Sequence, residues 1–163
     1  MTGLGKTMAA AATARALASR SDLADLPVVT VGPAGALRDG LAGLHLPGRV
    51  INHDLSAEVV RALGYDPQDE LEVGGGDETV LATGDVFVTD PAVRAGLAAR
   101  ADLVDMEGYA VVWACRQAGV PVRLVKHVSD NADAEAMGWP QVVDASARVL
   151  GAWLTANCVA SAP

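Results

Sequence analysis

The chain has 163 residues, of which 51% are hydrophobic and 4% aromatic, and it carries a formal net charge of −8 at pH 7. This acidic balance, with lysine at positions 6 and 126 alone, argues against binding to nucleic acid or to a membrane surface. Because no apolar run approaches the ~18 residues of a membrane span and the N-terminus lacks the pattern of a signal peptide, we expect a cytoplasmic protein.

The chain length and the cysteines further limit the kind of protein that this can be. The length fits one domain with a substantial core, spanning residues 1–163. Cys115 and Cys158 have neither the spacing of a metal site nor the number of a disulfide framework, so we expect both to be buried, reduced thiols. We expect no metal and no cofactor.

Apolar periodicity alternates along the chain between helix and strand spacing. Helical patterns and end signals predict helices over residues 7–19, 56–63, 107–118 and 139–157, and a helix that starts at Asp90-Pro91. β-branched and apolar runs predict strands over residues 27–31, 48–53, 71–73, 79–82, 103–106 and 122–128. Gly64 and Gly119 are expected to end helices. This alternation indicates an α/β fold with a central, mostly parallel (mixed), twisted sheet flanked by helices.

Two acidic segments follow two of these strands. Glu107, within Asp105-Met106-Glu107-Gly108, comes where the strand over 103–106 ends, and Asp130 comes where the strand over 122–128 ends. A strand, a helix and a second strand form a βαβ unit, whose crossover makes the strands parallel. Ligands of open α/β sheets bind outside the carboxyl ends of strands, and neighbouring strands lie roughly 5 Å apart. The two carboxylates are therefore predicted to face one small molecule.

Spacing alone also allows a purely structural role for both acids. An acid in the first turn of a helix often serves only as a partner of the helix dipole. A Ser-Asp pair after a strand, such as Ser129-Asp130, is often only a turn or a helix cap. His53 and His127, close to the same strand ends, are interpreted as structural histidines with satisfied hydrogen bonds.

The same residues resemble motifs of the purine nucleoside phosphorylase / nucleosidase superfamily. The matching segments, in the family's order, are Thr2-Gly3-Leu4-Gly5-Lys6, Gly32-Pro33-Ala34-Gly35, Thr83-Gly84-Asp85-Val86-Phe87, Val104-Asp105-Met106-Glu107-Gly108, Gly119-Val120-Pro121 and Val128-Ser129-Asp130-Asn131-Ala132-Asp133. The chain looks most like the hydrolytic branch, the methylthioadenosine/adenosylhomocysteine-type nucleosidases. The resemblance implies a nucleoside phosphorylase-like fold, a small-molecule purine nucleoside as ligand, and a homodimer.

The resemblance also assigns chemical roles. Asp130 is implied to be the general acid that protonates the leaving base at N7, and Glu107 to accept hydrogen bonds from the ribose hydroxyls. The general acid is needed because the base departs poorly as an anion, and the acidic ribose acceptor is needed because positive charge develops on the ribose ring. Asp130 must therefore hold a proton near neutral pH, and Ser129 is expected to orient it. The predicted substrate-binding residues are Phe87, Met106, Asp105, Ser129, Gly35 and Ala34.

Some of these assignments have an alternative. Phe87, the single Phe of the chain, is predicted to stack on the base, although a lone Phe at a strand end is normally part of the core. Met106 is predicted to lie against the ribose, although a Met there serves equally well in packing. Gly32-Pro33-Ala34-Gly35 is predicted to be a glycine turn that lets backbone approach the ligand. Pro33 replaces the family's usual Ser or Thr and lacks the donors that phosphate would need, which favours either hydrolysis over phosphorolysis or weakened binding.

The chain departs from the family pattern at its start. The family has a strand and a loop before the Thr2–Lys6 turn, with a Glu that positions the attacking water, and that Glu has no counterpart here. We therefore expect the family's first strand to be missing, which would leave a sheet edge that dimerisation could cover. Three functions stay open: a nucleosidase, which we favour, a phosphorylase of the same fold, and a non-catalytic purine-binding protein.

Overall fold

The computed structural model describes residues 1–19, 27–133, 136 and 139–158. The helices are α1 (Lys6–Ala18), α2 (Ala57–Ala62), α3 (Pro91–Ala98), α4 (Gly108–Gln117) and α5 (Trp139–Cys158). The strands are β1 (Val28–Ala36), β2 (Leu44–His45), β3 (Pro47–Asn52), β4 (Glu70–Glu72), β5 (Asp77–Thr83), β6 (Leu103–Asp105) and β7 (Val122–Asp130). None of the helices in these residues is both long and apolar enough to cross a bilayer.

The seven strands form one mixed sheet in the order β2-β7-β1-β6-β5-β3-β4. Parallel pairs join β1 to β7, and β5 to both β3 and β6. Antiparallel pairs join β1 to β6, β2 to β7, and β3 to β4. An irregularity between Ala34 and Gly35 shifts the register of β1 against β7, and such bulges bend and twist a strand. The predicted α/β fold with a mixed sheet flanked by helices is confirmed.

Apolar side chains cover both faces of the sheet, because successive residues of a strand point to opposite sides. On β5, Leu81 packs in one cluster with Val112 of α4, and its neighbour Ala82 packs in a second cluster with Leu97 of α3. α1 covers α4 in turn through the fully buried Ala9. The sheet is thus a central layer with packed side chains on both faces.

Helix ends follow the local signals that the sequence shows. The Asp90 side chain accepts a hydrogen bond from the Ala92 N–H at 2.7 Å, and Pro91 is the first residue of α3, as predicted. Gly64 and Gly119 follow α2 and α4 with φ of +87° and +67°, a backbone region that glycine enters without steric cost. These predicted helix ends are confirmed. They could be predicted because a helix end depends mainly on the residues next to it in the sequence.

The prediction that β6 and β7 are neighbours is wrong. The end of β1 lies between them, and Gly35 pairs with Val104 of β6 on one side and with Asp130 of β7 on the other. β6 runs antiparallel to the end of β1 and parallel to β5. Because β1 runs parallel to β7 and antiparallel to β6, the prediction that β6 and β7 are parallel is wrong as well. The helical connection from β6 to β7 passes over a third strand, which one-dimensional spacing does not reveal.

The prediction that Gly32-Pro33-Ala34-Gly35 forms a turn is also wrong. All four residues belong to β1 and pair with β7, from Gly32 with Lys126 to Gly35 with Asp130. Proline lacks an amide donor and is tolerated in a strand where a ladder bond is not required. That condition is met here because the pairing of β1 with β6 begins at Gly35, beyond Pro33.

The two cysteines differ in exposure. Cys115 on α4 is buried, and burial raises the pKa of its thiol to about 11. Cys158 is exposed, so the prediction that both thiols are buried is wrong for this residue. The reason is its place in the last turn of α5, where residues 155–158 are all exposed.

Candidate active site

A cavity of about 240 Å³ opens where β1, β6 and β7 end. This volume lies just below the ~300 Å³ at which typical ligand pockets begin. Its walls come from these strand ends, the segment after β5 and the turn before α1. The lining residues are Leu4, Pro33, Ala34, Gly35, Val86, Phe87, Val88, Val104, Asp105, Met106, Glu107, Ser129, Asp130 and Ala132. The structure thus brings together all eight predicted site residues around one space.

Glu107 lies in the wall of this cavity, two residues after the end of β6 and at the position before α4. Its Oε1 accepts a hydrogen bond from the Gly5 N–H at 2.8 Å, and its side chain makes no capping bond to α4 within the described residues. Burial raises the pKa of Glu107 above its ordinary value, although the Gly5 hydrogen bond opposes that change. A helix-capping role does not account for this geometry.

Asp130 is the last residue of β7, and both of its carboxylate oxygens accept hydrogen bonds. Ser129 Oγ donates to Oδ2 at 2.7 Å, and the Ala132 N–H donates to Oδ1 at 2.9 Å. Ala132 has φ of +50°, which is uncommon for a residue other than glycine, and it is 1% exposed. A strained residue that aims a donor at a cavity carboxylate is typical of functional sites.

Gly35 allows Asp130 to approach β1 closely. A Cβ at this position would lie 2.9 Å from Asp130 Oδ1, 3.0 Å from Ala132 Cβ and 3.2 Å from Val104 Cγ1. Next to it, the Ala34 carbonyl accepts a hydrogen bond from Ser129 Oγ at 3.4 Å. Ala34 and Gly35 therefore support the acidic segment as well as lining the cavity.

Phe87 and Met106 form apolar parts of the wall. Phe87 remains 44% exposed, so the alternative of a core residue is excluded for it. Met106 is half-buried between Asp105 and Glu107. Both side chains are available to a molecule in the cavity.

Asp105 lies in the wall of the cavity, but both oxygens of its carboxylate already bind groups of the protein. Its oxygens accept hydrogen bonds from Thr83 Oγ1 at 2.6 Å and from the Gly108 N–H at 2.8 Å, and Lys126 Nζ lies 2.7 Å away. The Asp105 and Lys126 side chains are 1% and 3% exposed. This geometry fits a residue that anchors the start of α4 better than one that contacts a ligand.

The two histidines near the strand ends have different surroundings. His127 Nδ1 lies 2.9 Å from Ser146 Oγ on α5, which fits the predicted structural role. His53 Nε2 is buried without a hydrogen-bond partner among the described residues, so the expectation of a satisfied ring is wrong for His53. Its ring packs against Gly84, where an added Cβ would clash with it, and burial lowers the pKa of the imidazole.

Sequence reasoning missed part of the wall. Leu4, Val86, Val88, Val104 and Ala132 line the cavity without having been predicted to do so. Lys126 was also missed, although a lysine inside an apolar strand run signals a buried charge that needs a partner. Among the described residues, no group of three or more His, Cys, Asp or Glu side chains could hold a metal ion.

Comparison with known sequences supports the interpretation of this site. The family model described as the phosphorylase superfamily matches residues 77–155. The aminodeoxyfutalosine nucleosidase of Helicobacter pylori (strain ATCC 700392 / 26695) is 36% identical over 80 residues, which are 47% of this chain and 35% of that protein. The same enzyme of strain J99 / ATCC 700824 is 35% identical over 80 residues. The matched segment thus spans about a third of the length of these curated relatives.

Solved structures match this fold over nearly the whole chain. A 5′-methylthioadenosine/S-adenosyl homocysteine nucleosidase of H. pylori, in complex with a small molecule, matches with a TM-score of 0.83 at 25% identity, over 95% of this chain and 76% of that chain. The native futalosine hydrolase of H. pylori strain 26695 gives a TM-score of 0.83 at 25% identity, over 94% and 75%. The chain is therefore similar to the phosphorylase superfamily over residues 77–155, and its fold is that of the methylthioadenosine/adenosylhomocysteine-type nucleosidases.

Proposed function

We propose that this protein is a nucleosidase that hydrolyses the N-glycosidic bond of a purine nucleoside with a modified 5′ position. The observation that carries the proposal is that Glu107 and Asp130 line one cavity together with Phe87. The relatives support the reaction class, because they are nucleosidases and a futalosine hydrolase by name. Aminodeoxyfutalosine, methylthioadenosine and adenosylhomocysteine are the substrates that these names suggest for testing.

Asp130 acts in this proposal as the general acid for the leaving base. The carboxyl group donates its proton to N7 of the purine, so that the base departs neutral. Ser129 Oγ donates to Asp130 Oδ2, and the Ala132 N–H donates to Oδ1. A protonated carboxyl oxygen keeps acceptor capacity, so Oδ2 can accept from Ser129 while it directs its proton to N7, and both contacts remain on the carboxylate after transfer.

Glu107 binds the ribose in this proposal. The Gly5 N–H occupies Oε1, which leaves Oε2 to accept from ribose hydroxyls. Positive charge develops on the ribose ring as the bond breaks, and a half-buried carboxylate opposes that charge more strongly than an exposed one would. The carboxylate thereby stabilises the transition state more than the bound nucleoside.

The apolar wall supplies the binding surface. Phe87 stacks on the purine, and Met106 lies against the ribose. Leu4 and Val86 provide further apolar surface, which suits the apolar part of a 5′ substituent. Asp105 is assigned here to positioning, because its carboxylate is bound to Lys126 and to the start of α4.

The charge of the wall favours water over phosphate as the attacking group. The described lining residues include the carboxylates of Glu107 and Asp130 and no lysine or arginine, and the carboxylate of Asp105 is already paired with Lys126. A phosphate dianion needs cationic or amide donors, and Pro33 offers neither at a position that faces the cavity. Hydrolysis is therefore preferred to phosphorolysis in this proposal.

We also propose that the protein is a cytoplasmic homodimer. Four large apolar side chains on α2 and on either side of it are 38% to 71% exposed, namely Leu55, Val59, Leu63 and Tyr65. Such a patch is more often covered in an assembly than left in water. Free thiols at Cys115 and Cys158 fit a reducing compartment. Light scattering that gives the mass of one chain at micromolar concentration would contradict the dimer.

The test of the function is an assay of base release. The purified protein is incubated with methylthioadenosine, adenosylhomocysteine, 5′-deoxyadenosine, inosine, futalosine and aminodeoxyfutalosine, first without and then with inorganic phosphate. We expect free base and a ribose derivative without phosphate. Release that depends strictly on phosphate and yields a ribose 1-phosphate would show a phosphorylase instead. Calorimetry that detects binding of a nucleoside, without any release of free base, would show a non-catalytic purine-binding protein.

A further inference from the structure

Two sequence motifs that lie 79 positions apart meet beside the cavity. The Lys6 N–H donates to Asp85 Oδ1 at 2.7 Å, and the Asp85 N–H donates to Asp54 Oδ2 at 2.7 Å. The Lys6 ammonium group closes the ring by binding Asp54 Oδ1, and it also donates to Asn52 Oδ1 at 2.8 Å. We call Lys6, Asn52, Asp54 and Asp85 the Lys6 cluster. It joins the start of α1 to the ends of β3 and β5.

The Lys6 cluster is connected to Glu107 through one residue. Gly5 directly precedes Lys6, and its N–H is the donor that binds Glu107 Oε1 at 2.8 Å. Gly5 has φ of +83°, and a Cβ there would lie 2.9 Å from Asp85 Oδ1. The peptide backbone at positions 5 and 6 is thus held between Asp85 on one side and Glu107 on the other.

The Lys6 cluster also fixes a second part of the cavity. Asp85 is followed directly by Val86, Phe87 and Val88, which all lie in the wall. Two backbone-linked hydrogen bonds hold Asp85 itself, one to Lys6 and one to Asp54. Lys6, Asp54 and Asp85 are not among the described residues that line the cavity, so any effect they have on chemistry is indirect.

The charges in the Lys6 cluster favour its assembled form. Burial alone would raise the pKa of Asp54, but hydrogen bonds from the Lys6 ammonium and the Asp85 N–H outweigh it and lower the pKa below its ordinary value. Asp54 is therefore ionised at neutral pH. The Lys6 and Asp54 side chains are 20% and 24% exposed, so their ion pair is shielded from solvent more than a surface pair.

We propose that the Lys6 cluster is a positioning device that holds the Gly5 N–H on Glu107 and the 86–88 segment against the cavity, so that Glu107 presents its free oxygen to the ribose hydroxyls. This inference rests on the proposed nucleosidase function. It assigns a shared purpose to Lys6, Asp54 and Asp85. These residues act through Gly5 and Glu107 and do not touch the substrate.

A purely structural role for the Lys6 cluster would change stability alone, whereas a positioning role changes the ionisation of Glu107. The groups that face Glu107 are the backbone N–H groups of Gly5 and Met106, the carboxylate of Asp105, the ammonium of Lys126 and, across the cavity, Asp130. Loss of the Gly5 donor removes the contact that most opposes the effect of burial. The pKa of Glu107 then rises, and the acid limb of the kcat/KM profile moves to higher pH.

The experiment compares four variants of the whole chain. Lys6→Met and Asp54→Ala break the Lys6 cluster, Lys6→Arg keeps its charge and donors, and Arg49→Met breaks an exposed ion pair with Glu70 as a matched control. We expect Lys6→Met and Asp54→Ala to lower kcat/KM by about tenfold to a hundredfold, since a hydrogen bond to a charged group is at stake, and to move the acid limb upward. Lys6→Arg should recover most of the loss, and Arg49→Met should match the wild type.

A second measurement separates this inference from the proposed function. Calorimetry with an adenosine C-nucleoside, whose carbon–carbon glycosidic bond cannot be hydrolysed, reports ribose binding without turnover. If the wild type releases no base, the proposed function fails, but the cluster variants should still bind this analogue more weakly than Arg49→Met does. Folded Lys6→Met and Asp54→Ala proteins that match Arg49→Met in affinity, rate and pH profile would overturn the inference. A wild type that neither releases base nor binds the analogue would overturn both proposals.

Discussion

Gly35 of β1 pairs with Asp130 of β7, and the space between them is so small that a Cβ at position 35 would lie 2.9 Å from Asp130 Oδ1. Gly35→Ala must therefore displace the carboxylate or the strand. We expect kcat/KM to fall by about tenfold to a hundredfold, because small displacements of a reacting group have effects of that order. Steady-state kinetics of base release measures this change.

The matched control for this substitution is Gly96→Ala on α3. A Cβ at Gly96 meets no atom within 4 Å, and Gly96 lies in a helix, where alanine is preferred by about 0.5–1 kcal/mol. Gly96→Ala should keep full activity with equal or higher stability. Equal activity of Gly35→Ala and Gly96→Ala would show that the close approach at Gly35 has no role in placing Asp130.

The buried pair of Lys126 and Asp105 should matter more for stability than any exposed pair. Lys126→Met leaves the Asp105 carboxylate without its cation in a site where the side chain is 1% exposed, and breaking such a pair costs about 3–5 kcal/mol. Urea unfolding, monitored by circular dichroism, gives the free energy of unfolding. The double variant Lys126→Met/Asp105→Asn should recover part of the loss, since no unpaired charge remains.

Arg49→Met provides the comparison for that experiment. The Arg49–Glu70 pair has the same 2.7 Å separation, but its side chains are 43% and 49% exposed, and exposed pairs contribute at most about 1 kcal/mol. If Lys126→Met is no more destabilised than Arg49→Met, the buried pair does not anchor the start of α4 as the geometry indicates.

Glu107 should make the folded protein less stable as pH rises. Its pKa in the folded state is raised, chiefly by burial, above the ordinary value of 4.5 that holds in the unfolded chain. The folded state therefore binds the proton more tightly, and stability is lost as pH rises from about 4.5 through the folded pKa. Glu107→Gln, which cannot ionise, should be more stable than the wild type at pH 7.

Thermal unfolding from pH 4 to pH 8 tests this prediction. The gain in Tm of Glu107→Gln over the wild type should be largest at neutral pH and should shrink as pH falls toward 4.5. A gain that is independent of pH, or a lower Tm for Glu107→Gln at pH 7, would contradict the raised pKa. The same variant should lose base release, because an amide cannot supply the negative charge.

The parts of the fold that depend on local sequence could be predicted from it. The cap at Asp90, the glycine at the end of α4 and the strand that ends at Asp130 need only neighbouring residues. The order of strands could not be derived in the same way. The sequence predicts β6 and β7 as neighbours, but the choice of β1 as the strand between them is made by tertiary packing around Gly35.

The site shows the same division. The resemblance of motifs led to Glu107, Asp130 and Phe87, which line one cavity. It gave no indication that the Gly5 N–H would donate to Glu107, which lies 102 residues away in the sequence. It also gave no indication that Asp105 would form an ion pair with Lys126. Such contacts depend on three-dimensional proximity, and periodicity carries information on a single element at a time.

Protonation of the leaving purine by Asp130 is tested most directly by a comparison of leaving groups. Wild type and Asp130→Asn are assayed on the best purine nucleoside and on 4-nitrophenyl β-D-riboside, whose nitrophenolate departs without a proton. We expect Asp130→Asn to lose about 10²–10⁴ in rate on the purine nucleoside, as removal of a general acid does, and to lose far less on the nitrophenyl riboside. Equal losses on both substrates, or full activity of Asp130→Asn on the purine nucleoside, would contradict the assignment of Asp130 as the acid.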